Sequence, residues 1–386
     1  MIAGCGKNLQ GAERILIIAG EASGDLHGAN LVREMKAVRS DLLFFGIGGE
    51  RMAQEGVCLI AHISRMAVVG FTEVISKLGF ILHIRREIKK LLKNSRPDLV
   101  ILIDYPDFNM PLAKFSKKIG IPVFYYIGPQ VWAWRKKRVF FLEKYVDRMA
   151  VILPFEEDVY TETRLDVHFV GHPLLDLVKM SCSKEEAFER FGLRPEMVTI
   201  ALLPGSREKE VTKLLPAMLK AAELIKKKIP DSQFILPLAD PIPLDMAKGI
   251  LLGSKIEIAV VQKNTYDALG ISDIAMVASG TATLETAVLE IPMIIIYKVS
   301  PFSYILGRIF VDIEHIGLVN IIAGRKVVPE FIQGEAQPGN MATEVFNIID
   351  DSSKRDEIKA GLREVRHKMG QPGAAARAAA IACELI

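Results

Sequence analysis

Residues 14–28 read RILIIAGEASGDLHG. Arg14 to Ala19 is an apolar, β-branched run stopped by Gly20, the pattern of a strand buried on both faces. Small and polar residues follow, and Leu26 to Val38 then reads as a helix. A buried strand, a turn of small residues and a helix make the opening unit of a doubly wound α/β sheet. The turn lacks Gly-x-Gly-x-x-Gly spacing and no acid ends the next strand, which argues against a dinucleotide fingerprint.

The unit recurs along the chain. Buried strands are expected at Leu42 to Phe45, Asp98 to Ile103, Ile121 to Tyr126 and Arg148 to Leu153. Phe71 to Lys93 predicts a long amphipathic helix interrupted near Gly79. Gly171-His172-Pro173 breaks the rhythm, and the polar stretch Ser181 to Pro195 reads as the passage between domains. Alternation then restarts, with strands at Val198 to Leu203, Gln233 to Leu238, Ile256 to Val261, Ile271 to Val277 and Met293 to Ile296. The expected organisation is a Rossmann-like domain over residues 1–175, a second over 176–345, and C-terminal helices over 346–386 that return to the first. Ligands of such sheets bind beyond the carboxyl ends of the strands, so the cleft between the two domains is the expected site.

Composition narrows the class. The chain has 386 residues, half of them hydrophobic, and a net charge of +3. Its mean hydropathy of +0.25 is high for a chain without an uncharged apolar run of bilayer length. Disorder, collagen-like repeats and, on charge alone, nucleic-acid binding are disfavoured. Ile2-Ala3-Gly4-Cys5 superficially resembles a lipoprotein cleavage box but lacks the preceding charged and apolar regions. The four cysteines form no Cys-x-x-Cys pair, which argues against a disulfide framework and suits a reducing, cytoplasmic setting.

Chemistry-bearing residues cluster after the strands. Glu21 lies in the turn after the first strand rather than on the helix and is a candidate catalytic residue. Asp104 ends a buried strand, where a carboxylate can serve as general base toward a hydroxyl. Trp132 and Trp134 follow another strand and suit packing against a sugar or acyl chain. In the second domain, Gly205-Ser206-Arg207 and Ser279-Gly280-Thr281 open helices. Backbone N–H groups there can receive a diphosphate, Arg207 adds a cationic fork, and Glu285 can hold ribose hydroxyls. Asn320 and Arg325 are expected in the same cleft. No Walker lysine, Asp-x-Asp or Gly-x-Ser-x-Gly motif occurs, and the His168/His172 spacing is broken by Gly171 and Pro173. No metal and no cofactor are therefore expected.

Taken together, AGEASGD (19–25), DYPDFN (104–109), PQVWAWR (129–135), LPFE (153–156), GHP (171–173), LLPGSR (202–207), ASGTATLE (278–285) and NIIAGR (320–325) resemble the lipid-A-disaccharide synthases over nearly the whole chain. The resemblance implies the GT-B glycosyltransferase fold. It implies transfer from UDP-2,3-diacylglucosamine to 2,3-diacylglucosamine 1-phosphate (lipid X), giving lipid A disaccharide 1-phosphate and UDP. A β-1,6 product from an α-linked donor means inversion. Asp104 then matches the base, Arg207 the stabiliser of departing UDP, Glu285 the ribose ligand, and Ser279, Gly280, Thr281 and Asn320 the nucleotide lining. Tyr105 stands where this motif usually has a small residue.

Acylated substrates account for the apolar excess. Met66, Val69, Phe71 and Val74 are the expected lipid contacts, beside Arg85, Arg86, Lys89 and Lys90 facing an anionic inner-membrane surface. Phe302 to Leu306 is a further apolar candidate in the second domain. A homodimer is left open. Two other readings compete: a UDP-sugar epimerase of the same fold, and a non-catalytic lipid- or nucleotide-binding module.

Overall fold

A computed structural model describes residues 13–65, 71–132, 138–299 and 314–386, with side chains of 71–78 excluded. The chain divides into two units, Met1–Pro173 with Gly370–Ile386, and Leu174–Met369. The domain boundary thus falls between Pro173 and Leu174. Only residues from Gly370 onward return to the first unit, and the stretch from 346 to Met369 belongs to the second.

The first unit holds a seven-stranded parallel sheet in the order β3-β2-β1-β4-β5-β6-β7. Its strands are β1 (Arg14–Ala19), β2 (Leu43–Gly48), β3 (Cys58–His62), β4 (Leu99–Ile103), β5 (Val123–Tyr126), β6 (Arg148–Val151) and β7 (Asp166–Phe169). Alternation along β1 and β4 fills both faces. Leu16, Ile18, Val100 and Leu102 enter one core, and Ile15, Ile17, Leu99 and Ile101 enter the other. Every one of these side chains is fully buried, which is why the strands read as unbroken apolar runs.

The second unit holds a six-stranded parallel sheet in the order β10-β9-β8-β11-β12-β13. These are β8 (Val198–Leu203), β9 (Ser232–Leu238), β10 (Ala259–Gln262), β11 (Ile274–Ala278), β12 (Met293–Tyr297) and β13 (Glu330–Ile332). Counted from its own first strand, this order is the same as that of the first six strands of the other sheet. Both sheets reverse direction between their first and fourth strands, β1 and β4 in one and β8 and β11 in the other. At such a reversal the crossover helices leave toward opposite faces, and the strand ends between them are left uncovered for a ligand.

Two local differences from expectation have simple causes. The helix Phe71–Ser95 runs unbroken through Gly79, because a single helical glycine costs only about 1 kcal/mol against alanine and packing outweighs it. Ile88, Leu91 and Leu92 are buried in the core, with Phe80, Ile81 and Ile84 packed beside them. Cys58 is disulfide-bonded while Cys182 and Cys383 are free, a bond that the cysteine spacing, which argued only against a framework, did not announce. Spacing reports local motifs and carries no information on distant pairing.

Candidate functional site

Each unit carries its own cluster of candidate residues, built on the loops that flank the reversal point of its sheet. In the first unit, β1 leads through Gly20 and Glu21 into the helix Ala22–Val38. Glu21 is the N-cap residue, exposed, with no capping hydrogen bond from its side chain. Its carboxylate is therefore free to act on its surroundings.

Asp25 is buried in the first turn of that helix. It accepts hydrogen bonds from the backbone N–H groups of Gly49 (2.6 Å), Arg51 (3.1 Å) and Met52 (3.1 Å). It therefore caps the neighbouring helix Glu50–Gln54 and ties the loops after β1 and β2 together.

After β4 the chain makes an unusual turn. Asp104 has φ 44° and Tyr105 φ 48°, two consecutive left-handed residues without a glycine. Each such conformation costs on the order of 1–2 kcal/mol. Hydrogen bonds offset it. The Asp104 N–H donates to the Tyr126 carbonyl (3.2 Å), and the Asp104 carbonyl accepts from Asn109 Nδ2 and from the Tyr125 hydroxyl, both at 2.7 Å. Asn109 Nδ2 also reaches the Ile103 carbonyl (3.1 Å). The Tyr105 ring stacks on Phe108 and lies against Gly20, where a Cβ would come within 2.3 Å of Tyr105 Cγ. Gly20 thus makes room for the larger residue at position 105.

Asp104 stays accessible to solvent. The protein crowded around it nevertheless pushes its pKa up to about 6, and the Glu21 carboxylate adds to the rise. Electrostatic coupling of this kind brings Glu21 and Asp104 into one neighbourhood. A carboxyl with this pKa is ionised at neutral pH but holds a proton more readily than an ordinary aspartate, the property a general base needs.

Glu156 joins the same neighbourhood from the end of β6, and sequence reasoning did not single it out. It is buried and accepts from the N–H groups of Ile152 (3.2 Å) and Leu153 (3.0 Å) and from the Trp132 indole (3.3 Å). Burial raises its pKa to about 7 against the effect of these donors, and Asp104 adds a smaller upward push. Trp132 also meets Phe155 edge to face at 5.0 Å. The local hints were the LPFE motif that it ends and its place soon after a buried strand. Its indole partner lies 24 residues away.

In the second unit β8 ends in Pro204-Gly205-Ser206-Arg207, ahead of the helix Glu208–Lys228. Gly205 takes φ 115° and leaves no space for a side chain, since a Cβ there would lie 2.5 Å from Glu210 Oε2. The backbone donors are not vacant, contrary to the expectation of an open anion cradle. Glu210 accepts from the N–H groups of Ser206 (3.1 Å) and Arg207 (3.3 Å), and the Arg207 guanidinium pairs with it at 2.8 Å. A resident carboxylate thus sits where an anion would bind. Arg207 remains largely exposed.

The loop after β11 is open by comparison. Ser279 and Gly280 precede the helix Thr281–Val288, Gly280 is its N-cap, and nothing stands within 4 Å of where a Gly280 Cβ would be. The Thr283 hydroxyl donates to the Gly280 carbonyl (2.7 Å) and holds the turn. Burial raises the Glu285 pKa, partly offset by a hydrogen bond with Tyr266.

Asn320 and Arg325 are placed differently from expectation. Asn320 is fully buried, and its amide is used internally. It donates to the Val328 carbonyl and to Glu330, and accepts from the N–H groups of Val327 and Val328. Glu330 in turn holds the N–H groups of Ile316 and Gly317, and the Ser279 hydroxyl donates to the Ile316 carbonyl (3.3 Å). The Asn320 side chain therefore supports the loop beside Ser279, with its amide engaged by these four bonds. Arg325 pairs with Glu364 of the helix Ser352–Lys368 at 2.7 Å, which draws its guanidinium to that helix.

The lipid expectation is only partly visible. Met66, Val69 and Trp134 lie outside the described residues, as do Phe302 to Leu306, and the side chains of Phe71 and Val74 are not described. On the same helix Arg86 and Lys90 are exposed, Arg85 and Lys89 half-buried. Lys89 and Lys93 lie over the Phe115 ring. Among the described residues no helix is long and apolar enough to cross a membrane, and no group of three or more His, Cys, Asp or Glu could hold a metal ion.

The sequence model of the family described as Lipid-A-disaccharide synthetase matches residues 15–384. The lipid-A-disaccharide synthase of Syntrophus aciditrophicus (strain SB) is 52% identical over 373 residues, covering 96% of this chain and 97% of the relative. Among solved structures, the glycotransferase of kitacinnamycin superposes with a TM-score of 0.63 at 14% identity, covering 98% of this chain and 100% of its own. The UDP-GlcNAc 2-epimerase from Neisseria meningitidis, bound to UDP-GlcNAc, reaches a TM-score of 0.60 at 12% identity, covering 96% and 98%. These structural likenesses concern the fold, two Rossmann-like domains of the GT-B type, which glycosyltransferases and epimerases share. Sequence identity separates the two, and the chain belongs to the lipid-A-disaccharide synthase family.

Proposed function

We propose that the protein joins UDP-2,3-diacylglucosamine to 2,3-diacylglucosamine 1-phosphate by inverting transfer, with Asp104 as the general base. Asp104 would take the proton from the acceptor 6-hydroxyl as that oxygen attacks the anomeric carbon. The bond to UDP breaks in the same displacement, and one inversion needs one base and no covalent intermediate. Charge growing on departing UDP would be met by Arg207 and by the helix N-terminus at Ser279-Gly280-Thr281, with Glu285 on the ribose. Glu210 would give up Ser206 N, Arg207 N and the guanidinium to the diphosphate. The reaction proceeds without a metal or other cofactor in this reading.

The observation that carries it is the Asp104 turn: a carboxyl with pKa near 6, at the carboxyl end of the strand that flanks the reversal point. The test is mass spectrometry of the products formed from both acylated glucosamine substrates. A disaccharide phosphate with one UDP per turnover is expected. A UDP-sugar isomer formed without acceptor would point to an epimerase, and binding without turnover to a non-catalytic module.

We infer, too, that the first unit rests peripherally on an anionic membrane. The helices Pro106–Lys118 and Arg138–Tyr145 extend the basic face of the helix Phe71–Ser95. Lys114, Lys118 and Lys144 are exposed, Lys114 and Lys144 lie over Tyr145, and Phe140 is 58% exposed. Lysines near an anionic surface contribute about 1 kcal/mol each, and an exposed aromatic adds interfacial anchoring. Sedimentation with anionic but not with neutral liposomes is the expected result.

A further inference from the structure

The proposal that Asp104 is the base leaves open what holds it in place. The residue departs from its strand in a conformation that aspartate adopts rarely, and its neighbour does the same. Ordinary strand-to-helix turns solve this with glycine. Here two fully buried side chains from different elements converge on one backbone oxygen. Asn109 comes from the helix that Asp104 precedes, and Tyr125 from the adjacent strand β5. Both donate to the Asp104 carbonyl at 2.7 Å. The second Asn109 bond, to the Ile103 carbonyl, fixes the amide against the last residue of β4. The carbonyl is held from two directions, so the peptide plane that follows Asp104 cannot rotate toward a regular strand or helix.

We propose that Asn109 and Tyr125 are positioning residues that clamp the Asp104 carbonyl and so present its carboxyl in the orientation the transfer requires. Neither touches the reacting atoms in this scheme, and each acts through Asp104. The inference rests on the reading of Asp104 as base.

The test uses the full-length enzyme and both acylated substrates. Tyr125→Phe removes one hydroxyl and keeps the ring in the core. It is expected to lower kcat about tenfold, with KM for either substrate within about twofold. Asn109→Ala removes two bonds and is expected to lower kcat about a hundredfold per folded molecule. In both variants the acid limb of the rate profile should move downward from near pH 6, because a released carboxyl regains water. Melting temperatures are measured alongside, and Tyr125→Phe decides the matter if Asn109→Ala does not fold.

The coupling to Asp104 is read in a double variant. Tyr125→Phe placed on Asp104→Asn should cause no further loss, since the group it positions is already gone. A further tenfold loss there overturns the inference. So does an unchanged kcat and acid limb in folded Tyr125→Phe. Normal turnover in Asp104→Asn alone would instead overturn the base assignment itself, a different outcome from the other two.

Discussion

The two sheets share one strand order, yet their reversal points carry opposite chemistry. At the first, after β1 and β4, stand the carboxylates Glu21 and Asp104, with Glu156 contributed from the loop after β6. At the second, after β8 and β11, stand glycines, hydroxyls, helix N-termini and Arg207. Backbone geometry follows suit. The acidic end holds non-glycine residues in left-handed conformations by means of buried side-chain donors. The donor end uses Gly205 and Gly280, which need no such support. One topology thus presents carboxylates at one reversal point and backbone donors, hydroxyls and a guanidinium at the other, and the side chains of the loops make the difference.

Removing the acceptor should have the largest effect. Asp104→Ala is expected to lower turnover by roughly a thousandfold, the usual range for loss of a general base. UDP binding should persist, since the residues proposed for the nucleotide lie on the other sheet. Near-normal turnover would break the division of labour between the two ends.

Arg207→Ala attacks the donor end. It should reduce kcat/KM for the UDP-sugar by about a hundredfold, as for loss of one charge-stabilising group. Unchanged donor kinetics would count against the role given to this loop.

Titration sharpens the contrast. Below about pH 6 the Asp104 carboxyl binds a proton and kcat/KM should fall. Stability should respond with the opposite sign. The folded-state pKa lies above that of an unfolded aspartate, so the ionised carboxyl disfavours the fold above pH 6 and this penalty vanishes near pH 4. Asp104→Asn should therefore raise the melting temperature at pH 7.5 and leave it unchanged at pH 4. A lower melting temperature at pH 7.5 would argue that the carboxylate contributes to the fold.

The smallest effect is expected at Arg325. Arg325 is exposed and its partner Glu364 partly so, and surface pairs of this kind contribute about 0.5 kcal/mol. Arg325→Ala should leave the donor KM unchanged. A large rise would return Arg325 to the nucleotide end.

Particular residues show what was legible beforehand. β1, β4, β8 and β11 are buried on both faces, so their sequences are continuous apolar runs and their ends locate Asp104, Gly205 and Ser279 at once. β3, β7 and β13 are edge strands, largely half-exposed, and leave no such trace. Glu21 and Asp104 could be picked out as candidates because strand ends place side chains in the open. Glu156, Asn109 and Tyr125 matter through partners in other elements, and a linear pattern does not record those. The internal engagement of Asn320 was not legible for the same reason. Its motif is recognisable, but the four hydrogen bonds that consume its amide come from the fold around it.

The last helix, Ala374–Cys383, packs against the helix Ala22–Val38 through Ala378, Ala379 and Ala382, all fully buried. Small side chains let the two backbones approach closely. On the ribosome this reverses the usual order of completion. Chains fold by domains as they emerge, and residues 174–369 are a whole unit before the final helix exists. The half that carries Asp104 is begun before the other unit and completed after it, so the core along the helix Ala22–Val38 lacks its alanine cover until residues 374–383 have been made.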